Sequence, residues 1–202
     1  MAASNDQPNS EVSAKRFLEE RGLECERFTK DALRQGKTPD YVVFHDEQLV
    51  LYCEVKEIRE DDRVDELLDQ NPSGTAVIVG GNDSTYNRIS AKIHDAFQQF
   101  DAVNADHEEA NVLFLANFEL GVDVQDLHAV LTGYLPTDDG GRFEGFGKYS
   151  NGRIAGEKTK IDLYLWQERS GDIKFVFTRD VGPHYETLLG LFGIREDNVQ
   201  EL

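Results

Sequence analysis

The sequence predicts a mixed α/β (α+β) fold, one mixed β-sheet flanked by helices. Three observations carry this. The first three strand-like runs are joined by short links and suit an antiparallel meander. A long helical pattern then separates the third strand from a fourth, as a crossover to a parallel neighbour requires. Near the C-terminus two further strand-like runs flank a turn and read as a hairpin.

Taken in order, Ser10 is placed to cap a helix from Glu11 to about Arg21, with Ser13 as the weaker alternative. Val12, Ala14, Phe17 and Leu18 give it an apolar face, and Gly22 ends it. Leu23–Phe28 reads as a strand. The polar connection Thr29–Thr38 carries Lys30, Arg34 and Lys37. Strands follow near 40–45 and 49–57, joined by a turn at His45–Gln48. Arg59–Gln70 is a charged segment with a short helix expected around Val64–Leu68, and Ala76–Val79 is a brief β-branched run. Asn82–Tyr86 is turn-rich and precedes the helix Asn87–Phe100. Val112–Phe118 reads as a buried strand, and Asp123 caps a helix running to about Tyr134. Pro136–Lys158, rich in Gly and polar residues, is expected to be a mobile loop. Ile161–Gln167 and Ile173–Thr178 form the second hairpin around Arg169–Asp172, and Tyr185–Phe192 closes as a short helix.

At 202 residues the chain is long enough for one domain with a full core. The organisation expected is a disordered polar N-terminus over residues 1–9, then a single domain over 10–202, with a core at about 11–118 and a C-terminal extension beyond it. No apolar run approaches the ~18 residues of a membrane span. The N-terminus lacks the basic and apolar regions of a secretory signal, so a cytoplasmic location is expected. Cys25 and Cys53 have neither disulfide-framework nor zinc spacing and read as reduced, buried thiols.

Charge runs against one class of partner. The 39 acidic residues against 21 Lys and Arg leave a net charge of −18, whereas proteins that grip nucleic acid gain affinity from basic patches. Two explanations compete: a surface suited to a high-salt cytoplasm, consistent with only nine Lys, or no nucleic acid partner. Net charge governs solubility and non-specific association and does not report on one local cleft.

The chemistry concentrates in TPDYVVFHDEQLVLYCEVKEI, which begins at Thr38. On a strand from Leu49, the side chains of Leu49, Leu51, Cys53 and Val55 point one way, and those of Val50, Tyr52, Glu54 and Lys56 the other. Folding the hairpin about Glu47 sets Asp40 opposite Glu54, with Cβ atoms ~5 Å apart. Two carboxylates so placed repel unless a cation sits between them, and oxygen ligands suit Mg2+ or Mn2+. Lys56, ~7 Å along from Glu54 on the same face, is placed to orient a water or to stabilise developing negative charge. A slip of one residue would turn Asp40 to the opposite face. An acid-x-Lys triplet is also common in so charged a chain, and Asp172-Ile173-Lys174 with Asp162 upstream is a decoy of the same kind.

Pro39-Asp40 with Glu54-Val55-Lys56 resembles the PD-(D/E)xK nuclease superfamily, whose core is the restriction-endonuclease-like fold. The helix pattern Glu11-x-x-Ala14-x-x-Phe17-Leu18-x-x-x-Gly22 is similar to the first helix of small resolvase-like members. The resemblance covers roughly residues 11–118. It implies a metal-dependent nuclease hydrolysing phosphodiester bonds in DNA, or else in RNA. Asp40, Glu54 and Lys56 would be catalytic, with Glu11 beside them, and Asp40, Glu54 and Glu11 would hold Mg2+ or Mn2+. Glu19 and Glu20 are the alternatives to Glu11, and a solvated helix face is the plain reading of all three. A basic or Gln residue on the helix after the hairpin also fits. Arg88 and Lys92, four apart on one face, are placed to meet phosphates, and Gln98 or Gln99 to order the site. Substrate binding is thus assigned to Arg88, Lys92, Gln99, Lys37 and Arg34, with a homodimer as a compatible assembly. The alternative is a catalytically silent member of the same fold serving as a binding or scaffold domain.

Other patterns say less. GGRFEGFGKY departs from a phosphate loop at two positions, although Arg142, Lys148 and Arg153 there are placed to close over a polyanion. The five His form no recognised motif, and His184 near Asp180 reads as structural.

Overall fold

The computed structural model describes residues 10–29, 36–59, 83–137, 140–177 and 182–194. The expected helix at 64–68, the β-branched run at 76–79, the polar N-terminus, and Lys30, Arg34 and Asp180 lie outside these residues.

Helix α1 (Ser10–Glu19) leads into β1 (Glu24–Glu26), β2 (Tyr41–His45) and β3 (Gln48–Ile58). Helix α2 (Asp83–Val103) precedes β4 (Ala110–Asn117) and α3 (Val124–Thr132). Two short strands, β5 (Tyr134–Pro136) and β6 (Arg142–Glu144), form a separate ribbon. A π-helical segment (Lys148–Arg153) and a 3-10 turn (Glu157–Lys160) lead to β7 (Leu163–Gln167), β8 (Ile173–Phe177) and α4 (Tyr185–Phe192).

Among the described residues, six strands form one mixed sheet in the order β1-β2-β3-β4-β7-β8. The first three are antiparallel, as their short links dictate. β3 and β4 are parallel, with α2 between them in sequence, and β4 is parallel to β7. The terminal hairpin β7–β8 extends this same sheet and is not a separate layer.

Helices cover both faces. Ala14, Phe17 and Leu18 of α1 pack with Leu188, Leu189 and Phe192 of α4 against Leu51, Cys53, Val55, Val112 and Phe114. On the other face Ile89, Ile93, Ala96 and Phe100 of α2 join Leu127 and Val130 of α3 over Leu113, Leu115, Tyr164 and Trp166. These α2 positions recur at three- and four-residue steps, the stripe a half-buried helix shows. β4 is buried along its whole length, which explains its unbroken apolar centre.

Two expectations are corrected. Residues 83–86 open α2, although they read as a turn: Tyr86 is buried and extends the apolar stripe of Ile89 and Ile93 by one helical turn. Residues expected in one mobile loop after Pro136 include β6, the π-helical segment and the 3-10 turn, anchored by the buried side chains of Tyr149 and Ile154. Gly133 allows the entry to this region. It ends α3 at φ 93°, and a Cβ there would stand 2.6 Å from Ser150 Oγ.

Candidate functional site

The hairpin register builds the site. Tyr41 pairs with Cys53, Val42 with Tyr52 and Val43 with Leu51, which brings Asp40 level with Glu54 one residue beyond the ladder. The turn is at Asp46-Glu47, both with positive φ (51° and 65°), the conformation of a two-residue hairpin that follows the strand twist. That turn alone would offset the register by one. A bulge between Val43 and Phe44 absorbs Val50 and restores it. Val50 consequently packs against the α1 face beside Leu51, not on the face of Glu54 as simple alternation predicted.

Asp40 and Glu54 lock each other. The Asp40 amide donates to Glu54 Oε2 at 3.0 Å, and the Val55 amide donates to Asp40 Oδ2 at 2.9 Å. Glu54 is 1% exposed. Its carboxyl is pushed up to about 7, first by burial and then by the charge of Asp40. Burial likewise raises Asp40, and the Val55 amide works against that rise. The dyad therefore retains a proton in conditions where ordinary carboxylates are bare.

Lys56 Nζ lies 2.5 Å from Glu54 Oε1 and donates to Gln99 Oε1 at 2.8 Å. Gln99 in turn donates to the Thr38 carbonyl at 2.9 Å, so one amide from α2 ties the lysine to the chain just before Asp40. Lys37 Nζ bonds Gln98 Oε1 at 2.6 Å. Gly36, Lys37, Thr38, Lys56, Asp95 and Gln99 line an open depression of about 390 Å³ over this group. The two glutamines divide the work: Gln99 holds Lys56, and Gln98 holds Lys37.

The remaining expected residues are placed differently. Glu11, in the first turn of α1, raises the Asp40 carboxyl through its charge, but its carboxylate pairs with Arg27. Glu19 and Glu20 pair with Lys15 and Arg16 on the outer face of α1. Arg88 makes a two-pronged bond to buried Glu119, both contacts at 2.7 Å, and also reaches Ser84 and Thr85. Lys92 stands near enough to Glu57 to help hold that carboxyl down, after Arg59. Arg142 stacks over Tyr134 and Lys148 over Tyr149, while Arg153 bonds Asn87. Of the decoy, Asp172 bonds Ser170 in the hairpin turn, while Asp162 turns to His107. Both cysteines are free and buried, and burial pushes the Cys25 thiol up to about 11.

Sequence reading missed a second cluster. His107, Asp162 and His184 present ligand atoms within 4.8 Å of one another. No local pattern marks it, because Asp162 lies 55 residues from His107 and the third member stands just before α4.

No protein-family model matches the chain, and no curated protein or solved structure matches it.

Proposed function

We propose that the chain is a metal-dependent phosphodiesterase acting on nucleic acid, DNA first and RNA second. One observation carries the reading: two carboxylates, Asp40 and Glu54, are held side by side and largely out of water, with Lys56 against one of them. Burying like charges is unfavourable unless a proton or a cation joins them. The donors are carboxylate oxygens, the chemistry Mg2+ and Mn2+ prefer, so the residues fit such an ion. Asp40 and Glu54 would hold it. Glu11 would join by sharing its carboxylate with Arg27.

A bound divalent cation supplies polarisation of a phosphoryl oxygen and acidification of water. The chain's own residues supply the rest. Lys56, held by Glu54 and Gln99, offers its third N–H bond to a water or a phosphoryl oxygen. Lys37 at the rim of the depression meets a phosphate as a point charge. Arg88 contributes to folding through Glu119 and is withdrawn from the substrate set.

The second reading is a catalytically silent protein of this architecture used for binding. The Glu11–Arg27 pair, which occupies the third carboxylate, and the net charge of −18 favour it. Incubating linear DNA, branched DNA and RNA with Mg2+ or Mn2+ separates the two. The nuclease reading expects cleavage by the wild type and none by Asp40→Asn. Cleavage retained in Asp40→Asn sinks it, and Mn2+ binding without cleavage of any polynucleotide selects the second reading.

A further inference from the structure

We propose that His107, Asp162 and His184 form a second metal site, selective for a borderline divalent transition cation of the Zn2+ type and independent of the Asp40–Glu54 group. Their ligand atoms already lie within 4.8 Å of one another. The cluster sits where β4 and β7 begin: His107 in the turn before β4, Asp162 just before β7, His184 at the start of α4. By sheet spacing it is ~12 Å from Glu54, two strands across and two residues along, and the two groups share no residue.

Each member is fixed by its own support. His107 holds a left-handed φ of 56°, uncommon for a residue with a side chain. Asn104 stabilises that turn: its Oδ1 accepts from the Glu108 amide at 3.0 Å and its Nδ2 donates to the Glu109 carbonyl at 2.7 Å. Asn104 Nδ2 also donates to Asn111 Oδ1 at 3.0 Å, and Asn111 Nδ2 donates to the Lys160 carbonyl at 2.8 Å. Asp162 accepts the Asn111 amide at 2.8 Å. Two buried asparagines thus tie the His107 turn to Asp162 before any ligand arrives, the outer support that metal sites use. His184 Nε2 bonds the His107 carbonyl at 3.2 Å. A carbonyl only accepts, so His184 Nε2 donates there, and in the neutral ring the lone pair is on Nδ1.

The donor set decides the metal. Two imidazoles and one carboxylate suit Zn2+ and its neighbours, whereas Mg2+ demands oxygen ligands in an octahedron. Asp162 and His107 are now joined by a hydrogen bond of 2.8 Å from Nε2 to Oδ2. Tetrahedral ligands at ~2.0–2.1 Å from zinc stand about 3.3 Å apart, so the ion replaces the shared proton with a shift of about half an ångström. Three protein ligands leave a fourth position, and a cavity of about 250 Å³ lined by His107, Asp162, Lys160 and Tyr185 adjoins the cluster. Lys160 there lowers cation affinity but complements an anion that completes the coordination.

The test is titration of the full chain, stripped of metal, with Zn2+ by calorimetry and with Co2+ by visible absorption. One Zn2+ per chain is expected outside the Asp40–Glu54 group, with a Co2+ spectrum of tetrahedral intensity. His184→Gln, folded by circular dichroism, should weaken binding at least ~10-fold, while Glu54→Gln should leave it unchanged. Should His184→Gln fail to fold, the Glu54→Gln protein decides: Zn2+ should raise its melting temperature, a chelator should reverse the rise, and Mg2+ should give none. Absence of Zn2+ binding, binding unaffected by His184→Gln, or binding lost in Glu54→Gln each overturns the site and leaves a structural His107–Asp162 pair.

Discussion

Asp40 and Glu54 exchange backbone and side-chain bonds at the end of the β2–β3 pair, one residue beyond its ladder. The Asp40 amide binds the Glu54 carboxylate, and the Asp40 carboxylate binds the amide next to Glu54. Neither side chain can leave without stranding a partly buried amide, at a cost of about 1 kcal/mol. The carboxylates are therefore pinned together by the sheet itself, and their repulsion is part of the folded state.

A pH dependence follows from Glu54. Its carboxyl titrates at about 7 in the fold against 4.5 ordinarily, so the folded state binds the proton more tightly than the unfolded chain. Stability from this group is complete below the ordinary value and is lost as pH rises through about 7. In metal-free protein, Glu54→Gln should flatten the fall in melting temperature between about pH 5 and 8. It should be the more stable form at the upper end, by on the order of 1–3 kcal/mol. A wild type that gains stability over that range relative to Glu54→Gln would contradict the dyad.

Mn2+ binding should depend on both carboxylates. Calorimetry should show a Mn2+ site in the His184→Gln protein that vanishes when Asp40→Asn and Glu54→Gln are added. Equal heats from both proteins would reduce the pair to a charged hairpin end.

Arg88 separates a structural role from a substrate role. Glu119 is buried and Arg88 partly exposed, so Arg88→Ala should cost about 2–4 kcal/mol by leaving a buried carboxylate short of its main partner. Polynucleotide affinity per folded molecule should not change. Undiminished stability with weakened binding would return Arg88 to the substrate set.

The β2–β3 turn should be improvable. Asp46 and Glu47 both adopt the left-handed region, where Asn-Gly fits best. Replacing the pair by Asn-Gly should stabilise the protein by about 1 kcal/mol, or ~2–4 °C in melting temperature. The turn is ~23 Å along the strand from Glu54, so metal binding should be unaffected. A lowered melting temperature would show that Asp46 or Glu47 holds the hairpin by some other contact.

Much of the fold was legible because local pattern and global role agree here. Alternation in Leu51–Val55, the helical stripe of Ile89, Ile93 and Ala96, and the capping Asp123 each describe their own surroundings. The β2–β3 hairpin was legible for the same reason, and with it an Asp40–Glu54 register that the two-residue turn alone would miss by one. The bulge at Val50 was not, although it is what makes that register hold. Nor did the sequence show that Arg27 would take Glu11 or Glu119 would take Arg88, partners 16 and 31 residues away.

Sequence alone determined the order of the main-sheet strands and of the helices between them, the antiparallel start and the parallel crossover, because these follow from side-chain period and connection length; the facing of the two carboxylates also needed the bulge at Val50. Tertiary structure alone decided which charged groups are already paired, that Glu54 is buried enough for its carboxyl to be pushed up, and that His107, Asp162 and His184 converge. Pairing and desolvation depend on what lies across the fold, and the distance between two side chains through space is not encoded in their distance along the chain.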